Sequence, residues 1–162
     1  MRAVVQRVLE AKVVVDGATV GSIGPGAIVY LGVLQGDTPG AATQLATKIA
    51  HFRFFEDESG RMGRSALDFT QAETPMSVLV VSQFTLSADG RKGRRPSFDA
   101  AEKPQLAQAL YQEFCECIAG MGIHVETGKF GAMMEVHQIG DGPVTFVLES
   151  PPPVRGAKES TP

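Results

Sequence analysis

Two segments of the chain carry residue types whose order and spacing allow chemistry. The first is residues 82–86, Ser-Gln-Phe-Thr-Leu, which closes an apolar run typical of a buried strand. Polar side chains at such a strand end are held rigidly where pockets form. Strand alternation predicts Gln83 and Thr85 on one face, with Ser82 and Phe84 on the other. A capped strand end with satisfied hydroxyls is the alternative interpretation, and both stay open on spacing alone.

The second, the Gly-Pro segment, comprises residues 140–145, Gly-Asp-Gly-Pro-Val-Thr. Gly-Pro pairs are common in turns, so an ordinary turn is one interpretation. The other is backbone chemistry, because a cis Gly142-Pro143 bond can aim two carbonyl oxygens in one direction. At a glycine, no side chain obstructs the approach of a ligand. The sequence therefore allows either a turn or a backbone-lined binding loop.

A basic segment, residues 91–96, lies between these two. Its four cations fall within five residues, and they are Arg91, Lys92, Arg94 and Arg95. The whole chain has a formal net charge of -3, which excludes nucleic-acid binding by bulk electrostatics. A local contact with phosphates or a plain solvated loop both fit this segment.

The usual hydrolase signatures are absent, since the chain has no G-x-S-x-G elbow and no H-E-x-x-H helix. His51, His124 and His137 are scattered, and ordinary structural roles are expected for them. Cys115 and Cys117 stand two apart in a helical pattern and are expected to be small buried side chains. No metal site and no cofactor are predicted.

Valine-rich and apolar runs predict about eight strands. Those in the first half are residues 2–8, 11–15, 18–23, 27–34 and 77–86. Those in the second half are residues 123–126, 133–139 and 144–148. Turn signals at Asp16-Gly17 and in residues 24–26 separate the early strands.

Two helices are expected. In the first, Thr38 is the N-cap and Pro39 the first helical residue. The core-facing stripe of that helix is Ala42, Leu45, Ile49 and Phe52. The second begins at Pro104 and stops at Gly120 and Gly122. Its predicted core residues are Leu106, Leu110, Phe114, Cys117, Ile118 and Met121.

These elements predict an α/β chain, a single domain with a mixed, antiparallel-rich, barrel-like β-sheet and two main helices packed on it. The domain is expected to span residues 1–149, followed by a disordered, proline-containing tail at 150–162. A secretory signal and an apolar membrane span are both missing from the sequence, so a cytoplasmic protein is expected.

Residues 82–86 and 142–145 together resemble the paired motifs of the D-aminoacyl-tRNA deacylases. Flanking stretches that resemble the family in the same order are residues 1–8, 55–58, 91–98 and 126–132. The resemblance covers essentially residues 1–149. It implies a homodimer that hydrolyses D-amino acids, and mischarged glycine, from the terminal ribose of tRNA while sparing L-aminoacyl-tRNA.

The resemblance also implies roles for individual residues. Those that line the pocket for the aminoacylated adenosine are Ser82, Gln83, Phe84 and Thr85. A cis Gly142-Pro143 bond would enter the partner's pocket, where its carbonyls hold the α-amino group and block an L side chain. Phe130 and Met134 match the adenine-binding wall, and Arg7 matches a residue that braces the loop. Gly140 stands where the family usually has asparagine, which predicts a less firmly held loop.

Two mechanisms stay open. Thr85 is a possible nucleophile, although no histidine or lysine in its motif is placed to activate it. Alternatively the ribose 2′-hydroxyl of the tRNA assists attack by water, while backbone N–H groups around Phe84 stabilise the oxyanion. We favour the second. The alternative functions are an inactive tRNA-binding or dimerisation module of the same fold and a small-molecule esterase.

Overall fold

The computed structural model of the chain describes residues 1–91 and 93–151. Lys92 lies outside the described residues, as does nearly all of the predicted tail, residues 152–162. Among the described residues, no helix has the length and apolar character needed to cross a membrane.

A single long strand, β1 (Arg2–Val15), organises the sheet. Two strands were predicted here, at residues 2–8 and 11–15, but β1 runs through both and absorbs the polar interruption as irregular pairing. One edge of β1 pairs with β8 (Glu135–Glu149) over nearly its whole length. The other edge pairs first with β3 (Gly26–Gly32) and then with β2 (Ala18–Ile23).

The remaining strands extend the sheet to the order β2-β1-β3-β6-β7, with β8 on the outer edge of β1. β6 spans Ser77–Ser82 and β7 spans His124–Thr127, and both pair in parallel. A Cβ on Gly21 of β2 would lie 2.4 Å from the carbonyl oxygen of Thr127 in β7. Glycine therefore lets these two strands approach and almost close the sheet into a barrel. The predicted mixed, antiparallel-rich, barrel-like architecture is confirmed.

A small hairpin of β4 (Phe55–Glu56) and β5 (Met62–Arg64) stands beside this sheet. Neither strand of this hairpin was predicted from the sequence. Glu56 of β4 accepts a hydrogen bond from the side chain of Arg7.

Two helices, α1 (Pro39–His51) and α2 (Pro104–Gly120), cover one face of the sheet. The Thr38 cap is confirmed, since its side chain accepts a hydrogen bond from the amide of Ala41. In α2 the predicted stripe is wrong at Leu106, which is exposed, whereas Cys117 and Met121 are partly buried and pack against the core. The stripe also lacked three buried positions, which are Ala107, Tyr111 and Cys115. Leu106 is exposed because it lies on the flank of the helix, outside the face that the buried residues share.

The sheet separates two apolar clusters. Alternate residues of β3 and β6, such as Val29 and Val80, pack against the helices. Their neighbours Ile28 and Leu79 face the interior of the barrel together with Val13 of β1. Because both faces of β3 and β6 are buried, the carboxyl end of β6 is a rigid platform for the residues that follow it.

Candidate functional site

The backbone turns sharply at the end of β6. The predicted strand 77–86 ends at Ser82, Gln83 has φ −143° and ψ 81°, and Phe84–Ser87 form a 3-10 turn. The last ladder bond runs from the amide of Gln83 to the carbonyl of Leu31, at 2.8 Å. The prediction that Gln83, Phe84 and Thr85 continue the strand is therefore wrong. Side-chain directions in this segment follow the turn rather than strand alternation.

The turn nevertheless brings two of the predicted site residues together. The Nε2 of Gln83 donates to the Oγ1 of Thr85 at 2.5 Å, and Thr85 is exposed. Phe84 is 60% exposed, and its ring meets the edge of Phe98 with ring centres 5.1 Å apart. Ser82 is half-buried at the strand end. Among the hydrogen bonds of residues 1–91 and 93–151, Gln83 is the only partner of the Thr85 hydroxyl.

Two backbone donors at the start of the turn are free to bind a ligand. Within the part of the chain that the structure describes, the amides of Phe84 and Thr85 donate to no acceptor. The first N–H groups of any helical turn lack internal partners, so this turn presents two of them at an exposed position. Such donors can stabilise a developing negative charge on an oxygen.

Phe130 and Met134 approach β6 from the segment after β7. The phenol of Tyr111 and the amide of Gly128 both donate to the carbonyl of Val80, at 2.7 and 2.9 Å. The ring of Phe130 lies 5.7 Å from that of Tyr111, on the helix side. A Cβ on Gly128 would lie 2.7 Å from the sulfur of Met134, so Met134 packs on Gly128. Val80 is two residues before Ser82, so Phe130 and Met134 lie beside the turn after β6.

The Gly-Pro segment forms an exposed excursion in β8. Gln6 pairs with Thr145 and Val8 pairs with Gly140, so four residues of β8, 141–144, stand opposite Arg7 alone. The Gly142-Pro143 bond is cis, and Gly142 has φ +127°. Both residues are exposed. The backbone of this excursion is thus available to a ligand or to another chain.

Arg7 holds the base of that excursion. Its guanidinium is only 6% exposed and lies 2.8 Å from the Asp141 carboxylate. It also donates to the carbonyl of Phe54 at 3.0 Å and to Glu56 at 3.3 Å. The contact with Asp141 joins Arg7 to the Gly-Pro segment, and the bracing role that the resemblance implies stays a prediction. Sequence reasoning missed Asp141 and Glu56, although Asp141 stood inside the motif as a signal.

The turn after β6 and the Gly-Pro segment lie far apart in one chain. Ser82 is in register with Leu31 and through it with Ala3, whereas the Gly-Pro segment lies opposite Arg7. The four residues from Ala3 to Arg7 span roughly 13 Å, and the three strand spacings from β8 to β6 span roughly 14 Å. Measured along the sheet, the two segments are separated by roughly 19 Å.

The basic segment is joined to the turn through an aromatic contact. Two backbone hydrogen bonds between Asp89 and Ser97 close the loop, and Phe98 then packs on Phe84. Arg91 pairs with Asp89, and this hydrogen bonding lowers the pKa of Asp89 to about 2. Arg94 and Arg95 are exposed, while Lys92 lies outside the described residues.

Among the described residues, no histidine or cysteine forms a hydrogen bond with the turn after β6 or with the Gly-Pro segment. His124 and His137 pair with Glu126 and Glu135 on the surface, and His51 bonds the carbonyl of Thr47. Cys115 is buried, and burial raises the pKa of its thiol to about 12, so the thiol stays protonated and unreactive.

Comparisons with known proteins cover nearly the whole chain. A family model described as D-Tyr-tRNA(Tyr) deacylase matches residues 4–149. A curated relative from Thermus aquaticus named D-aminoacyl-tRNA deacylase is 55% identical, and the match covers 93% of this chain and 95% of the relative. A second relative of the same name, from Symbiobacterium thermophilum, is 51% identical, and the match covers 93% of this chain and 96% of the relative.

Two solved structures resemble the fold. The c-Myc DNA Unwinding Element Binding Protein superposes with a TM-score of 0.85 at 41% identity, covering 94% of this chain and 100% of its own. A structure described as a probable eukaryotic D-amino acid tRNA deacylase superposes with a TM-score of 0.77 at 20% identity. The superposition covers 91% of this chain and 98% of that structure's chain. At that identity the second likeness shows the fold alone.

Proposed function

The chain belongs to the D-Tyr-tRNA(Tyr) deacylase family, and we propose from this that it hydrolyses the ester between a D-amino acid and the terminal ribose of tRNA. It is a hydrolase that proofreads chirality in translation, releasing free D-amino acid and tRNA while sparing L-aminoacyl-tRNA. The observation that carries this function is the exposed turn after β6, whose free amides stand beside an aromatic wall.

The alternatives are not favoured. An inactive tRNA-binding or dimerisation module has no need of free amides at Phe84 and Thr85 or of a braced Gly-Pro segment. A small-molecule esterase of the usual kind needs a base next to its nucleophile, and Thr85 bonds only to an amide side chain within the described residues. The proposed substrates include mischarged glycyl-tRNA, because glycine has no side chain for the site to reject.

The active enzyme is proposed to be a homodimer with a composite site. The separation of roughly 19 Å along the sheet between the Gly-Pro segment and the turn of the same chain supports this proposal. Gly142 and Pro143 of one protomer would instead enter the site of its partner. This arrangement gives the braced, exposed excursion of β8 a function that a monomer cannot supply.

An uncovered sheet face supports this dimer. β8 has a free second edge among the described residues, and Ile139 and Val147 on it are 52% and 64% exposed. On the face turned away from the helices, the side chains of Tyr30, Gln138 and Gln6 form a hydrogen-bonded chain. Open strand edges and exposed apolar side chains are costly unless a partner covers them.

The substrate is proposed to bind in three parts. The carbonyls of Gly142 and Pro143 would accept hydrogen bonds from the α-amino group and leave no room for an L side chain. Phe130 and Met134 would hold the adenine of the terminal nucleotide. Phosphates farther along the strand would meet the basic segment, whose candidate contacts are Arg91, Lys92, Arg94 and Arg95. Because backbone reads the chirality, the nature of the D side chain matters little.

In the proposed reaction, water attacks the ester carbonyl carbon with assistance from the ribose 2′-hydroxyl. The resulting oxyanion accepts hydrogen bonds from the amide of Phe84 and its neighbour. The carbonyl-to-ribose oxygen bond then breaks, and the ribose oxygen takes up a proton. An aminoacyl ester is already reactive, so orientation contributes most of the acceleration.

Replacing Thr85 with alanine is expected to keep kcat within about three-fold of the native value, because within the described residues its hydroxyl bonds to the Gln83 amide and to no base. Steady-state deacylation of D-Tyr-tRNA measures this. The companion substrate carries hydrogen in place of the terminal 2′-hydroxyl, and it should react far more slowly with either protein. Loss of all turnover in the Thr85 variant would establish a nucleophilic threonine instead.

The function itself is tested by paired deacylation of D-Tyr-tRNA and L-Tyr-tRNA with purified protein. The D substrate should be released at least about 100-fold faster in kcat/KM, which corresponds to about 2.7 kcal/mol of discrimination. Equal rates on the two substrates would refute chirality proofreading, and no release from either would favour the binding module.

Two assignments follow from the proposal. The catalytic domain corresponds to residues 1–149, which agrees with the extent of the family match at 4–149. A cytoplasmic location follows from the substrate, because aminoacyl-tRNA is used in translation there.

A further inference from the structure

A cavity of about 290 Å³ opens between α2 and the segment after β7. Its helix wall carries Gln108, Gln112 and Glu116, and its opposite wall carries Thr127 and Phe130. The roles proposed above account only for Phe130. The cavity therefore adjoins the adenosine site without belonging to it.

The helix wall is a row of unused polar groups. Gln108, Gln112 and Glu116 are spaced four residues apart, so they share one face of α2. Their side chains take part in none of the hydrogen bonds of the described residues. Tyr111 and Cys115 at the bottom of the cavity are less available to a ligand. The phenol of Tyr111 already donates to the carbonyl of Val80, and Cys115 is a neutral thiol. A ligand would thus be recognised by the two amides and the carboxylate.

The cavity is adjacent to Phe130 and Met134, the residues proposed to hold the adenine. Phe130 lines it from one side, and Gly128, which Met134 touches from the barrel side, also lines it. Gly128 and Tyr111 converge on Val80, two residues before the turn. A group bound here would therefore be the immediate neighbour of the terminal adenosine.

The lining indicates a base rather than a phosphate. Among the described residues that line it, the one charged side chain is the carboxylate of Glu116, which would repel a phosphate. A volume near 290 Å³ is at the small end for ligand pockets and suits a single base. Single-stranded RNA is commonly recognised through hydrogen bonds to base edges and stacking on aromatic side chains.

We propose that this cavity binds the penultimate base of the tRNA, the cytosine of the CCA end. The cytosine amino group donates to Glu116, and its ring acceptors receive hydrogen bonds from Gln112. Phe130 lies between the two bases and contacts both. This inference rests on the proposed deacylase function and deepens it by naming a second recognition site.

The test uses short substrates in place of whole tRNA: D-tyrosyl adenosine and the D-tyrosyl dinucleotides CA and UA. We expect the native kcat/KM for CA to exceed that for both others by about 10-fold. Uracil presents an acceptor where cytosine presents a donor, so Glu116→Gln should abolish the preference for CA over UA. Gln112→Ala should lower the kcat/KM for the CA dinucleotide toward that for D-tyrosyl adenosine. Neither variant should change the kcat/KM for D-tyrosyl adenosine.

The matched control is Gln44→Ala, which removes an exposed amide on α1, away from the cavity. It should leave all three values unchanged. Equal native rates on CA, UA and adenosine would overturn the inference, as would an equal loss on all three substrates in Glu116→Gln. The paired D/L measurement on the same native protein keeps the proposed function separate, because a D-selective enzyme without cytosine preference contradicts only the cavity assignment.

Discussion

Replacing Gly142 with alanine is expected to lower kcat/KM for D-Tyr-tRNA by about 100-fold or more, since small misplacements of a positioning group have effects of that size. Gly142 has φ +127°, a conformation that L side chains rarely adopt. An added Cβ would lie 2.8 Å from both the Cγ2 and the amide of Val144. The backbone must therefore shift, and the carbonyls that we propose to hold the α-amino group shift with it.

Gly140→Ala is the matched control for this change. The position of its Cβ meets open space, and its φ is outside the left-handed region. It should deacylate D-Tyr-tRNA at close to the native rate. Size-exclusion chromatography of both variants verifies that each still assembles like the native protein. Native D-selectivity in Gly142→Ala would contradict the role of this backbone in reading chirality.

Phe84→Pro should lower kcat by about 100-fold to 1000-fold, the usual effect of removing one oxyanion donor. Proline removes the backbone N–H that is free at the start of the 3-10 turn. The first position of a helical turn tolerates proline, and the preceding Gln83 lies outside the helical region that proline disfavours. Single-turnover deacylation of D-Tyr-tRNA at saturating enzyme measures the chemical step.

Phe84→Ala separates the amide from the ring. It removes the contact with Phe98 but retains the N–H. Its single-turnover rate should stay well above that of Phe84→Pro. Weaker substrate binding by Phe84→Ala is consistent with this prediction, because the rate is measured at saturating enzyme. Equal rates for the two variants would show that the side chain, and not the amide, supports catalysis. Thermal unfolding of both proteins confirms that they are folded.

The helices and most strands could be predicted from sequence because their signals are local. Thr38 and Pro39 mark the start of α1, and β2 was predicted with its observed bounds. The breaks expected near residue 9 and at residues 140–143 do not divide the strands. Pairing between β1 and β8 continues across both interruptions as irregular register, since long-range ladder bonds outweigh local turn signals. Strands predicted at 133–139 and 144–148 are therefore the single β8.

The site was predictable in its residues more than in its shape. The end of β6 was placed correctly at Ser82, but the apolar Phe84 and Leu86 extended the predicted strand into what is a turn. The ion pair between Arg7 and Asp141 depends on which residues of β8 stand opposite Arg7, and a single sequence does not contain that register. The separation of the two motifs depends on register as well, so it can be read only from the folded sheet.

The composite site is tested most directly by mixing the two inactive variants. Gly142→Ala and Phe84→Pro are unfolded together, refolded at equal ratio and assayed on D-Tyr-tRNA beside each variant treated alone. Random pairing gives a mixed dimer in about half of the molecules. Each mixed dimer has one site with a native turn and a native Gly-Pro segment. The mixture should therefore recover about a quarter of native activity, and no recovery above the separate variants would contradict a site shared between protomers.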